Sequence, residues 1–108
     1  MSLELAGYQR RALRAAAHDL DPVVHVGQGG VGESLLNSVD EALTAHELIK
    51  MRFVDHKDQK KQLAAEIAEK LEAVVAGTVG HVAILYRPHP DPKERRIVVP
   101  ERDASDPA

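Results

Sequence analysis

The residues of this sequence best suited to chemistry are Gly27-Gln28-Gly29-Gly30, and that chemistry is anion binding through the backbone. Three glycines in four residues mark a turn that needs positive φ or a close approach by another group. The run follows the short β-branched segment Val23-Val24-His25-Val26 and precedes an apolar helical pattern that begins near Glu33. A helix N-terminus presents unpaired N–H groups and a partial positive charge. A loop without side chains in front of it lets a phosphate come close. The spacing is not that of a Walker A loop, which needs four residues between its glycines and then Lys-Ser/Thr, nor that of the G-x-G-x-x-G dinucleotide fingerprint. Taken alone, the glycines are explained equally well by a plain strand-to-helix turn.

Cationic side chains supply the second feature. Arg10, Arg14 and His18 are spaced by four, and Arg11 lies three before Arg14, so they line one side of a helix. Lys50 and Arg52 alternate with apolar residues, and Arg87 leads toward Lys93, Arg95 and Arg96. RNA-binding modules of the KH class use a G-x-x-G loop to clamp a nucleic-acid backbone. The chain has 14 basic and 17 acidic residues, a net charge of −3, which argues against an overall basic coat. A local basic face is still compatible with it, because association follows the field at one surface. The aromatic residues are only Tyr8, Phe53 and Tyr86, so stacking platforms for bases have little to work with. Phosphate and shape are the features such a chain can read. Catalysis finds no constellation. Cysteine is absent, the six histidines lack metal-binding spacing, and Ser34 and Ser38 lack a nucleophile elbow. His46-Glu47 reads as a helix end, where a histidine suits the dipole. No catalytic residue, metal, cofactor or small-molecule substrate is expected.

These residues need a scaffold. An amphipathic helix is expected from about Leu5 to Leu20, with Leu13, Ala16, Ala17 and Leu20 on its buried stripe and Pro22 stopping it. Val23–Val26 reads as a buried strand, Glu33–His46 as a second helix, and Leu48–Val54 as a half-exposed strand. Asp55–Asp58 is a polar turn with Asp58 as N-cap. A third apolar stripe, Leu63, Ala64, Ile67, Ala68, Leu71, Val74 and Val75, predicts a helix ended by Gly77. Val82–Tyr86 is a central strand, and Arg96–Val99 a last short one after a proline-rich loop. The reading is an α/β single domain, α-β-α-β-α-β-β, with a four-stranded mixed sheet over residues 1–100. Residues 101–108 form an acidic tail expected to be disordered. The first residues lack a secretory pattern and no apolar run reaches about 20 residues, so a cytoplasmic monomer away from membranes is expected.

Together these residues resemble the YhbY-like proteins, free-standing versions of the CRM domain. The resemblance rests on Tyr8-Gln9-Arg10-Arg11, Leu13-Arg14, Ala17-His18 and Leu20-Asp21-Pro22-Val23-Val24-His25-Val26-Gly27-Gln28-Gly29-Gly30. It continues through Glu41-Ala42-Leu43, His46-Glu47-Leu48-Ile49-Lys50, Gly80-His81, Ile84-Leu85-Tyr86-Arg87-Pro88 and Arg96-Ile97-Val98-Val99-Pro100. It implies a fold similar to the C-terminal domain of bacterial translation initiation factor three. It also implies RNA binding through the glycine loop and a basic surface, in precursors of the large ribosomal subunit. Asp21, Gln28 and His81 stand where the family tends to be basic or polar, so weaker or more salt-sensitive binding is expected. The competing reading is a protein-interaction module that docks on ribosomal or other proteins without touching RNA.

Overall fold

Along Leu48–Phe53 the side chains divide between two faces: Ile49, Met51 and Phe53 point to one, Leu48, Lys50 and Arg52 to the other. The whole domain is organised about this strand. In the computed structural model, residues 5–95 and 97 are described. Three helices, α1 (Gly7–Ala17), α2 (Glu33–His46) and α3 (Lys60–Lys70), accompany four strands, β1 (Val24–Val26), β2 (Leu48–Phe53), β3 (Val74–Val79) and β4 (Val82–Tyr86). The sheet order is β1-β2-β4-β3. β1 runs parallel to β2, and both other pairings are antiparallel, so the sheet is mixed and α/β as expected.

The two faces are covered unequally. α2 and α3 pack on one through Val39, Leu43, Ala64, Ile67 and Ala68, against Val24, Val26, Ile49, Met51, Phe53, Ala83 and Leu85. α1 covers the other with only Leu13 and Ala17, against Leu48, Ala76, Ile84 and Tyr86. The expected helix from Leu5 to Leu20 is therefore shortened. It starts where the Gln9 side-chain oxygen accepts from the Ala6 N–H at 2.8 Å. It closes with tight turns from the N–H groups of His18 and Leu20 to Ala15 and Ala17. Ala16 is exposed and Leu20 is 39% exposed, so neither belongs to the buried stripe.

The third helix needs a larger correction. Val74 and Val75 continue its apolar spacing in sequence but lie in β3, and Gly77 sits inside that strand rather than capping a helix. α3 instead ends at Lys70 in a Schellman closure. The Ala73 N–H reaches the Ala68 carbonyl at 2.8 Å, the Glu72 N–H reaches Glu69, and Glu72 adopts φ +55. The expected N-cap is also displaced. Asp58 lies in a 3-10 turn, Lys57–Gln59, and Gln59 occupies the N-cap position without a side-chain hydrogen bond. The strand expected at Arg96–Val99 and the tail 101–108 lie outside the described residues, apart from Ile97.

At the end of the sheet where β2 begins, Glu47 is buried at 3% exposure with φ +65. Its carboxylate accepts the N–H groups of His89 at 2.9 Å and Ile97 at 3.2 Å, and its carbonyl accepts from Arg87 at 2.8 Å. Burial, and then the Glu47 carboxylate, push the Tyr86 phenol above its ordinary pKa. The left-handed backbone at Glu72 costs about 1–2 kcal/mol for a residue with a Cβ. Glu72→Gly should therefore raise stability by roughly 0.5–1 kcal/mol, after allowing for glycine's greater freedom in the unfolded chain. A urea midpoint shifted upward with unchanged slope is the expected result, and an unchanged or lower midpoint would contradict it.

Candidate nucleic-acid interface

The glycine loop leaves β1 at Val26 and enters α2 at Glu33, between strand and helix as the sequence implies. The Gly30 N–H closes the turn on the Gly27 carbonyl at 3.0 Å, and Gly30 takes φ +66. A Cβ built on Gly27 or Gly29 would meet nothing within 4 Å, so the apex stands open to an incoming group. α2 starts from Gly32 with no side-chain cap, leaving its first N–H groups without a side-chain acceptor. One contact steadies the loop from outside: His56 Nε2 lies 3.1 Å from the Gln28 carbonyl. A carbonyl only accepts, so Nε2 is the protonated nitrogen.

Strand register shows what lies beside this loop. On the face shared with α1, side chains form three rows across the sheet. The first is Leu48, Tyr86 and Val74; the second is Lys50, Ile84 and Gly77; the third is His25, Arg52, Val82 and Val79. α1 lies over the first two. The third is uncovered, with His25 and Arg52 exposed and Val79 64% exposed. It borders the end of the sheet from which the glycine loop departs.

The other loops at this end are tied down. Phe53 N–H donates to the His81 carbonyl at 2.7 Å, and the Val26 carbonyl accepts from Val54 and Asp55. The Lys60 ammonium donates to the Gly80 carbonyl, fixing the start of α3 to the β3–β4 turn. Gly80 takes φ +58 in that turn.

The anticipated cations fall into three groups. Arg52 lies in the open row opposite His25, itself two residues before the loop begins. Arg10, Arg11 and Arg14 lie on α1, and the Arg14 stem rests on Gly77 at the β3 edge, its Nη1 3.4 Å from the Ala76 carbonyl. A Cβ on Gly77 would come within 2.7 Å of Arg14 Cδ, so this glycine makes room for the arginine. β3 is three interstrand spacings, roughly 14 Å, from β1. Arg14 and the loop therefore stand toward opposite edges of the sheet, with Arg10 and Arg11 exposed further along α1. Lys50 lies under the end of α1, its ammonium 3.0 Å from the His18 carbonyl, and the His18 side chain is exposed there.

Arg87 is not brought to this face. It sits at the opposite end of the sheet, 2.7 Å from the Asp40 carboxylate, and also donates to Thr44 Oγ1 and the carbonyls of Leu71 and Asp40. That arrangement joins α2, the end of α3 and β4. It lines the rim of a depression of about 540 Å³ with Leu43, Glu72 and Pro88–Pro90. The structure adds His25, His56 and Lys57, which were not picked out from the sequence, and gives His81, noted there only for its family position, a place beside them. His25, His56, Lys57 and His81 gather near the loop from β1, the turn after β2 and the β3–β4 turn. In sequence they are isolated polar residues, and only the alternation of His25 between buried valines hints at an outward side chain.

A model of the CRS1/YhbY (CRM) domain matches residues 5–87. The chain belongs to the CRS1/YhbY (CRM) family. An RNA-binding protein of Haemophilus influenzae is 37% identical over 99 residues, covering 91% of this chain and 97% of that protein. The "Probable RNA-binding protein YqeI" of Bacillus subtilis is 33% identical over 91 residues, covering 83% and 95%. The solution structure of a hypothetical protein from Staphylococcus aureus superposes with a TM-score of 0.73 at 32% identity, covering 88% of this chain and all of that one. These CRM relatives with functional names are named for RNA binding, not for a reaction, in keeping with the non-catalytic reading. Among the described residues, no helix is long and apolar enough to cross a membrane.

The loop geometry separates its glycines by role. Gly30→Ala places a Cβ at φ +66 and 3.4 Å from His56 Nε2, and should cost about 1–2 kcal/mol. Gly29→Ala meets open space and should change stability by less than about 0.5 kcal/mol. Thermal unfolding of both variants checks this, and equal losses would mean that the turn is not built as described.

Proposed function

We propose that this chain is an RNA-binding module that docks on structured ribosomal RNA, in precursors of the large ribosomal subunit, and acts by positioning rather than catalysis. The observation that carries the reading is an open glycine loop at an uncapped helix start, continuous with an exposed row bearing Arg52 and His25. A phosphate at the loop would meet backbone N–H groups and the positive end of α2. The open row then leads a nucleic-acid backbone across the sheet toward the arginines of α1, a span of roughly 14 Å. Gly27, Gln28, Gly29 and Gly30 form the clamp, Arg52 lines the track, and Lys50 and His18 flank it at the end of α1. Arg87 serves the fold in this reading. RNA-binding names among the CRM relatives support the ligand class. The ribosomal target rests on the family resemblance carried by the sequence.

Phosphate contacts position a protein without reading bases, so base preference should be slight. Gly29→Asp should weaken binding to a ribosomal RNA fragment by about tenfold or more while the melting temperature stays near that of the parent. Arg52→Ala should lower the slope of log K against log salt by about one. Sucrose-gradient sedimentation of lysate should show the protein with large-subunit particles at low salt and free at high salt. Gly29→Asp with unaltered RNA affinity, or a protein that stays at the top of the gradient at low salt, would favour docking on proteins instead.

A further inference from the structure

At its β1–β2 side the open row ends in a shallow depression of about 260 Å³ lined by His25, Arg52, Phe53, Val54, Lys57 and His81. Four of these six are basic or can become so, and none is a carboxylate. Among the described residues, none of these four side chains is held in a hydrogen bond or ion pair, unlike Arg14, Lys50, Lys60 and Arg87. Uncommitted basic side chains converging from β1, β2, the following turn and the β3–β4 turn have no internal role that accounts for them.

We propose that this depression is a second phosphate site, holding a phosphodiester of bound RNA next to the one at the glycine loop, with a grip that strengthens as His25 and His81 take up protons. The inference rests on the RNA-binding reading above. Arg52 and Lys57 supply fixed charge. Histidine is the side chain whose charge changes between about pH 5 and 8, so acidification adds positive charge to the same phosphate. The other charged groups nearby are Asp55, His56 and Asp58, which line a neighbouring hollow with Lys57, and Lys60 on the Gly80 carbonyl. Carboxylates and lysines as classes titrate outside that window. His56 Nε2 donates to the Gln28 carbonyl whether or not the ring is charged, so the loop keeps its brace. The sign follows: protons and RNA bind together, each favouring the other.

The test is the affinity of the full chain for a labelled RNA hairpin at fixed ionic strength, at about pH 8 and about pH 5.5, within the titration range of histidine. Binding should be roughly tenfold tighter at the lower pH, equivalent to one unit of histidine pKa shift on binding. The salt slope should steepen by about 0.7–0.9, the value for one further phosphate neutralised. In a His25→Gln/His81→Gln double variant most of this acid gain should be lost, what is left being the share of His18 and His56. Arg52→Ala should bind more weakly at both pH values but keep the gain, and His46→Gln, at the far end of α2, should behave as the parent does. A parent whose RNA affinity ignores pH, or a double variant that keeps the full acid gain, overturns the second site while leaving the glycine-loop reading intact. RNA binding absent at both pH values, with Gly29→Asp silent, removes both.

Discussion

Everything about this domain depends on how a four-stranded sheet is covered by three helices. α2 and α3 share one face and bury it from end to end. α1 has the other face to itself and contributes two buried side chains, Leu13 and Ala17. That is enough for the two rows nearest the start of β2. The third row is left to water, and β2 meets this by carrying Arg52 there, opposite Met51 and Phe53 in the core. The open row is therefore a consequence of unequal helix coverage, and the exposed chemistry is tolerated because it displaces no core residue.

The two ends of the sheet are built for different purposes. At one, Glu47 and Arg87 hold backbone and side chains together. A buried carboxylate accepts two N–H groups, and a guanidinium spreads its donors over α2 and the last turn of α3. Charged groups in such networks are costly to break and are not free for a ligand. At the other end backbone hydrogen bonds among Val26, Phe53, Val54, Asp55 and His81 do much of the holding, helped by Lys60 on Gly80 and His56 on Gln28, and Arg52 and Lys57 there are left uncommitted. A surface that must meet phosphates needs rigid backbone and free charge together. The second end combines them.

A net charge of −3 is consistent with this division. Acidic residues outnumber basic ones over the whole chain, yet the depression beside the glycine loop is lined by no carboxylate. Local field rather than total charge governs an encounter with RNA.

Much of this was legible in the sequence. The β1–loop–α2–β2 stretch follows from a short β-branched run, a glycine cluster, a helical stripe and a period-2 strand, each a local signal that agrees with its neighbours. The motif residues from Tyr8 to Pro88 likewise identify the family. The end of α3 was not legible, because Val74 and Val75 satisfy helical spacing as well as strand composition. The helix is closed by a left-handed Glu72 where sequence reasoning looks for glycine, and Gly77 instead makes room for Arg14. The site was legible only as its loop. Arg87 and Arg52 look alike in sequence, yet one is locked into an ion pair and the other faces open water. His25, Lys57 and His81 lie on separate segments of the chain and become neighbours only through β1–β2–β4 pairing. Local periodicity determines which face a side chain takes. Strand order and register, settled by how three helices divide two sheet faces, decide which side chains share a surface.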